Sequence, residues 1–270
     1  VKEYLVELAG AAPSPAAARN GVREYLQALI LSALQKSHAM TMLAFHGGTA
    51  LRFLYGLPRF SEDLDFAMER PQAQFDFDRL LQRVRGELER NGFQVRIKAQ
   101  TERVVKNAFI HFPGLLYNLG LSAHAGESLA VKLEIDSRPP AGAILATTLV
   151  RRHVLLHLQH HDPASLLAGK LNALLTRGYT KGRDWFDLLW YLSNPEWPAP
   201  NLPMLQNALD QSAGAEQRYT AAAWRELVLE RAEAIDFDGV RRDLAPFLQD
   251  ARDGEMVILD SFRQLLGRKK

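Results

Sequence analysis

The sequence predicts an α+β protein, a mixed sheet with flanking helices followed by a helical C-terminal domain. Three observations carry this. Short apolar or alternating segments, the mark of strands, recur up to about residue 160, with helical segments between them. After Asp162-Pro163 almost every segment has a helical period. The 270 residues suffice for one large domain or two modest ones, and 47% hydrophobic with 24% charged residues is an ordinary globular composition. The expected division is 1–160 for the mixed part and 161–270 for the helical part.

Residues 11–18, rich in Ala, Pro and Ser, read as a loose connector. Val22, Leu26, Leu29, Ile30, Ala33 and Leu34 then recur at helical spacing and place a helix over 21–37. The apolar run 40–45 suits a buried strand. Gly47-Gly48-Thr49 breaks it, and a helix over 50–55 ends at Gly56-Leu57-Pro58. Residues 63–68 alternate as a strand does, and 75–90 form an amphipathic helix closed by Asn91-Gly92. Strands are expected at 93–99, 103–112 and 129–137, the last stopped by Pro139-Pro140, with one more at 147–158. The helical half divides into 164–178, 182–193, 201–213, 216–233, 239–250 and 253–267.

Composition excludes several functions. There are 33 Lys and Arg against 31 Asp and Glu, so nucleic acid is not bound by bulk charge and would need a local basic patch. Without cysteine there is no disulfide, thiolate zinc site or cysteine nucleophile. No apolar run approaches the roughly 18 residues of a membrane span. The segment 25–34 is shorter and holds Gln27 and Ser32. The N-terminus, with Lys2, Glu3 and Glu7, does not have the layout of a signal peptide. A cytoplasmic protein without membrane contact is expected.

The most informative stretch runs from His46 to Phe66. On a strand, Asp63 and Asp65 share one face while Leu64 and Phe66 share the other. Two adjacent carboxylates repel each other unless a cation lies between them. Mg²⁺ suits hard oxygen ligands and is normally completed by substrate phosphates; Mn²⁺ is a substitute. A lone Asp-x-Asp is more often a pair of surface acids. Gly47-Gly48 changes that reading. It lies 15 residues before Asp63, after a strand and before a helix, where glycine lets the backbone offer N–H groups to a phosphate.

Gly47-Gly48-Thr49-Ala50-Leu51, followed by Arg59-Phe60-Ser61-Glu62-Asp63-Leu64-Asp65-Phe66, resembles the first motif of the AbiEii/AbiGii toxin family. That family belongs to the polymerase-β-like nucleotidyltransferases and includes the MenT-type toxins. The resemblance spans about 46–190 and implies a polymerase-β-like core.

The resemblance extends to two further elements. Val131-Lys132-Leu133-Glu134-Ile135-Asp136 looks like the second motif, an acid flanked by apolar residues; Glu134 is the match for a third metal ligand and Asp136 the reserve. Lys170 to Arg177, followed by Arg183-Asp184-Trp185-Phe186-Asp187-Leu188, looks like Lys-x-x-Ala-x-x-x-Arg followed by Arg-Asp-x-x-Asp-Leu. In the family a lysine and an aspartate of this element are needed for activity. Lys170 would offset phosphate charge, and Asp184 or Asp187 would orient Lys170 or the nucleotide. Arg59, Ser61 and Thr49 are placed to contact phosphate, Arg59 alternatively to pair with Asp63.

The implied reaction moves a nucleoside monophosphate from an NTP to an acceptor, with release of pyrophosphate. The family suggests the 3′ end of tRNA as acceptor, blocked translation as result and an AbiEi-like antitoxin as partner. Transfer to a protein or small molecule, or a non-catalytic NTP-binding module, are the alternatives. Arg83, Arg85, Arg96, Lys98, Arg103, Arg151, Arg152 and Arg268-Lys269-Lys270 are the residues available for RNA. His157, His160 and His161 lack a convincing metal-ligand spacing, His46 reads as a packed strand end, and Trp185, Trp190 and Trp197 as helical-core or interdomain packing.

Overall fold

A computed structural model describes residues 2–70, 75–212 and 219–267. They form two compact units. The first comprises the chain to Gly56, Phe60–Arg138 and Thr147–His160; the second takes Leu57–Arg59, Pro139–Ala146 and the chain from His161. Two short pieces of the first 160 residues thus belong with the helical half.

The first unit opens with α1 (Lys2–Gly10) and α2 (Pro15–Lys36). Of the stretch expected as a loose connector, 11–14 link the two helices, whereas 15–18 are already the first turn of α2. Ser14 is an N-cap whose side chain accepts from the Ala17 N–H, and Pro15 supplies the preset first-turn φ. Then follow β1 (Leu43–His46), α3 (Gly47–Tyr55), β2 (Asp63–Met68), α4 (Phe77–Arg90), β3 (Arg96–Gln100), β4 (Val105–Pro113), α5 (Leu115–Asn118), β5 (Ser128–Asp136), β6 (Leu145–Arg152) and β7 (Val154–His161).

The sheet order is β3-β4-β5-β2-β1-β7-β6, with β2 parallel to β5 and β1 parallel to β7 among antiparallel pairs. Its inner face is Leu64 and Phe66 of β2, Ile110 and Phe112 of β4, and Val131, Leu133 and Ile135 of β5, all buried. Helix α2 packs on β5 and on α4. Burial on one face leaves alternate residues on the other face for polar work.

The single strand expected over 147–158 is two strands. His153, at φ 62, reverses the chain between β6 and β7. A non-glycine residue in the left-handed region needs support. Tyr4 Oη lies 2.8 Å from His153 Nδ1, and Glu24 Oε1 lies 3.1 Å from its Nε2.

The second unit contains α6 (Pro163–Thr176), α7 (Gly182–Ser193), α8 (Leu202–Ser212), α9 (Trp224–Glu233), α10 (Phe237–Leu244) and α11 (Leu259–Leu266). Asp162 caps α6 by accepting from the Ser165 N–H at 2.8 Å, with Pro163 in the first turn. Trp185 is the core residue, edge-on to Phe237 and Phe262. Trp190 and Trp197 pack edge to face. The helix expected over 239–250 stops at Leu244, just before Pro246, and that over 253–267 resolves into a 3₁₀ stretch, Ala251–Met256, and α11. Residue 213 and residues 216–218 of two expected helices, and the tail Arg268-Lys269-Lys270, lie outside the described residues. No helix among the described residues is long and apolar enough to cross a membrane.

Candidate active site

Strand β2 holds the acidic pair between two neighbours. Asp65 pairs with His46 of β1 on one side and Glu134 of β5 on the other, and Asp63 pairs with Lys132. Cross-strand partners point to the same side of a sheet. Asp63, Asp65, Lys132 and Glu134 therefore share the face opposite the core. Asp136 pairs two residues further on, with Ala67. Its Oδ1 accepts from the Arg138 N–H at 2.9 Å. Burial, with the Glu69 charge adding, pushes its carboxyl up despite that bond. The register thus brings Glu134, not Asp136, opposite Asp65.

Gly47 stands at φ 78 directly against this acid. A Cβ there would lie 2.4 Å from Asp65 Oδ2. The backbone conformation would strain any side chain there, and its Cβ would force the Asp65 carboxylate to shift. Helix α3 starts here, and His46 at its N-cap makes no side-chain capping bond, so the first-turn N–H groups are not capped in that way. Thr49, expected near a phosphate, is fully buried and its hydroxyl donates to the Asp63 carbonyl. It tethers the start of β2. Ser61 is half-buried, and its carbonyl accepts from Gln27 Nε2 at 3.0 Å.

Lys132 Nζ lies 2.8 Å from Glu134 Oε1. Burial alone would lower its pKa, but the hydrogen bond to Glu134 and the charges of Glu134, Asp63 and Asp65 raise it. Three carboxylates thus act on one ammonium. Among the described residues no three His, Asp or Glu side chains are drawn together into a finished metal cage. The acids nonetheless suit a divalent ion: they are hard oxygen donors in register on one face, with Asp65 against a glycine.

The second unit carries a separate charged cluster. Lys170 Nζ lies 3.1 Å from Asp184 Oδ1 and 2.6 Å from Asp187 Oδ2. Arg177 pairs with the other oxygen of Asp184. Arg59 forks onto Asp187, Nε to Oδ1 at 2.6 Å and Nη2 to Oδ2 at 2.5 Å, both side chains being buried. Arg59, read as a phosphate or Asp63 contact, is therefore held by Asp187. The spacing leaves open whether Asp184 or Asp187 orients Lys170 or the nucleotide; both carboxylates pair with Lys170. The seven-residue interval of Lys170 and Arg177 brings both to Asp184.

The electrostatics follow. Burial would lower Lys170, but Asp187 and Asp184 raise it. Burial would raise Asp184, but Lys170, Arg177 and Lys181 lower it. Lys181, absent from the motif reading, is lowered by burial and by Arg183, against the pull of Asp184. Its place just before Gly182-Arg183-Asp184 was the available sequence signal. Lys132 was in view only as a neighbour of Glu134. Arg183 stacks on Phe247, 4.0 Å from the ring centre. His160 is buried, its Nε2 2.8 Å from Thr148 Oγ1.

Comparison with solved structures places this fold beside two from Helicobacter pylori. JHP933 is 19% identical with a TM-score of 0.54, and the match covers 91% of each chain. A candidate nucleotidyltransferase is 20% identical with a TM-score of 0.55, covering 90% of this chain and 92% of that one. At such identities the likeness speaks for the fold. No curated protein matches the chain. The family model for the nucleotidyl transferase AbiEii toxin of type IV toxin–antitoxin systems matches residues 29–268. With most of its length matched, its strand acids in register and its glycine turn against Asp65, the chain belongs to the AbiEii family of nucleotidyl transferase toxins.

Proposed function

We propose that the protein transfers a nucleoside monophosphate from an NTP to the 3′ end of a tRNA and so blocks translation, with Asp63, Asp65 and Glu134 holding Mg²⁺ or Mn²⁺. One observation carries the reading: Asp63, Asp65 and Glu134 lie on one sheet face, with Asp65 seated against the side-chain-free Gly47. A divalent ion bound there supplies charge neutralisation of the triphosphate and activation of the acceptor hydroxyl.

The residues of the chain do the rest. The first-turn amides of α3, from Gly47 and Gly48, bind phosphate oxygens. The acceptor oxygen forms a bond to the α-phosphorus while the bond from that phosphorus to the bridging oxygen breaks. Pyrophosphate leaves, and the hydroxyl proton passes to a carboxylate oxygen of Glu134. Lys170, by its match to the family lysine, offsets charge on the phosphoryl groups. Asp184 and Asp187 are positioning residues for it. An AbiEi-like antitoxin is the proposed partner. The helical half, 161–270, is proposed to supply the Lys170 element to catalysis.

The test is incubation with Mg²⁺, each α-³²P-labelled NTP and total tRNA, followed by a denaturing gel. A labelled tRNA band that disappears in Asp65→Asn supports the reading and names the nucleotide. Label that survives RNase moves the acceptor to a protein. No label on RNA with any NTP rejects the tRNA assignment.

A further inference from the structure

We infer that the open face of β3, β4 and β5 is a docking platform for the 3′ end of a single-stranded RNA, with Phe109 as its stacking residue. This rests on the transferase reading and names the surface that presents the acceptor.

The strand register lays out the platform. Lys98 pairs with Phe109, Phe109 with Lys132, and Lys132 with Asp63. The next row is Gln100, Asn107, Glu134 and Asp65. The row on the other side is Arg96, His111 and Ala130. Each row points to one side of the sheet. Cations, amides and aromatic rings at the edge thus share a face with the acids nearer the centre. Asp63 and Phe109 are two strand spacings apart, about 10 Å.

The chemistry of this face selects the occupant. Phe109 is 41% exposed, although its strand neighbours Ala108 and Ile110 are fully buried. It stacks on His111, with ring centres 6.3 Å apart and planes at 30°. Lys132 Nζ lies 5.8 Å from its ring centre. Arg96 and Lys98 are exposed beside it. Rings for bases with cations for phosphates are how sheets take single-stranded nucleic acid. Charged residues on an edge strand also discourage strand pairing between molecules. That accounts for Arg96 and Lys98, but not for a bare phenyl ring between Lys98 and Lys132. A protein partner would favour a continuous apolar patch, whereas Asn107 separates Phe109 from Val105 on this face. Two other basic residues available for RNA are engaged elsewhere: Arg152 with Glu24, and Arg83 with the Ser37 carbonyl.

The test is fluorescence anisotropy of the whole chain with a short single-stranded RNA labelled at its 5′ end, without NTP. Phe109→Ala is expected to weaken RNA binding about tenfold, the loss of one base stack. Phe109→Trp should retain it. Lys98→Ala should weaken binding and reduce the salt slope by about one. Thermal melts check that the variants fold, and calorimetry with Mg·NTP reports the nucleotide site separately. Equal RNA affinity in wild type and Phe109→Ala overturns the platform, as does a wild type that binds no RNA. A wild type that binds no RNA but labels a protein leaves nucleotidyl transfer standing while the platform falls. RNA binding that depends on Phe109, without label transfer to RNA, supports the platform and rejects the acceptor reading.

Discussion

A β-carbon on Gly47 would stand 2.4 Å from Oδ2 of Asp65. The glycine is thus part of the geometry of the acidic strand β2 and not only a turn. Gly47→Ala should cost about 1–2 kcal/mol from the left-handed backbone alone. It should also displace the Asp65 carboxylate and reduce transfer on the scale of Asp65→Asn. Gly56 provides the control. It has nearly the same φ, 77, but a Cβ there meets nothing within 4 Å. Gly56→Ala should lower stability similarly and retain transfer. Urea unfolding and the labelling gel read the two effects; equal activity loss in both variants would reject the special role of Gly47.

Lys132 lies among the acids as their resident cation. Removing it should make the acids a stronger trap for a divalent ion. Lys132→Met is expected to tighten Mn²⁺ binding roughly three- to tenfold, since the pair is partly exposed and screened. Electron paramagnetic resonance of free Mn²⁺ measures this without turnover. Unchanged or weaker Mn²⁺ binding would show that Lys132 does not compete for the carboxylates.

Local patterns made β2 and β5 legible: Asp63-Leu64-Asp65-Phe66 and Val131 to Asp136 alternate cleanly. Which acid faces which was not legible, because register is set by pairing between strands distant in the chain. That Glu134 and not Asp136 stands opposite Asp65 came only with that pairing. Arg59 illustrates the same limit, since its partner Asp187 is 128 residues away. The reversal at His153 was hidden because histidine is not a turn residue by type; its support comes from Tyr4 and Glu24, both remote. The start of α2 was in plain view as Ser14-Pro15, but the Ala/Pro/Ser composition suggested a connector instead. The exposed Phe109 gave no signal, because an alternating strand does not say which partner covers its outer face.

The Arg59–Asp187 pair is buried on both sides. Breaking such a pair leaves an uncompensated charge, which costs about 3–5 kcal/mol. Asp187→Asn should therefore destabilise by that order, since Lys170 also loses a partner. Arg59→Met with Asp187→Leu should cost less than the sum of the two single changes, because no lone charge of the pair stays buried. Chemical unfolding of the four members of this cycle measures the coupling. Additive losses would mean that the two side chains do not support each other.

Glu24 predicts the acid limb of stability. Burial would raise its carboxyl, but the hydrogen bond from His153 and the charges of Arg52 and Arg152 hold it at about 2, against 4.5 for a free side chain. Tyr4 and Tyr25 close the cluster around His153. Above pH 4.5 both native and unfolded chains are ionised here, and the full contribution is present. As pH falls below 4.5 the unfolded chain takes up the proton first, so stability drains until the native carboxylate also protonates near pH 2. The linkage amounts to about 3 kcal/mol in order of magnitude. Glu24→Gln cannot show this drain. It should be less stable than wild type at pH 7 by a similar amount, and the two should converge as pH approaches 2. Urea unfolding at pH 7, 4 and 3 measures the gap; a gap as wide at pH 3 as at pH 7 would mean that the ionised carboxylate is not what binds Arg52, Arg152 and His153 together.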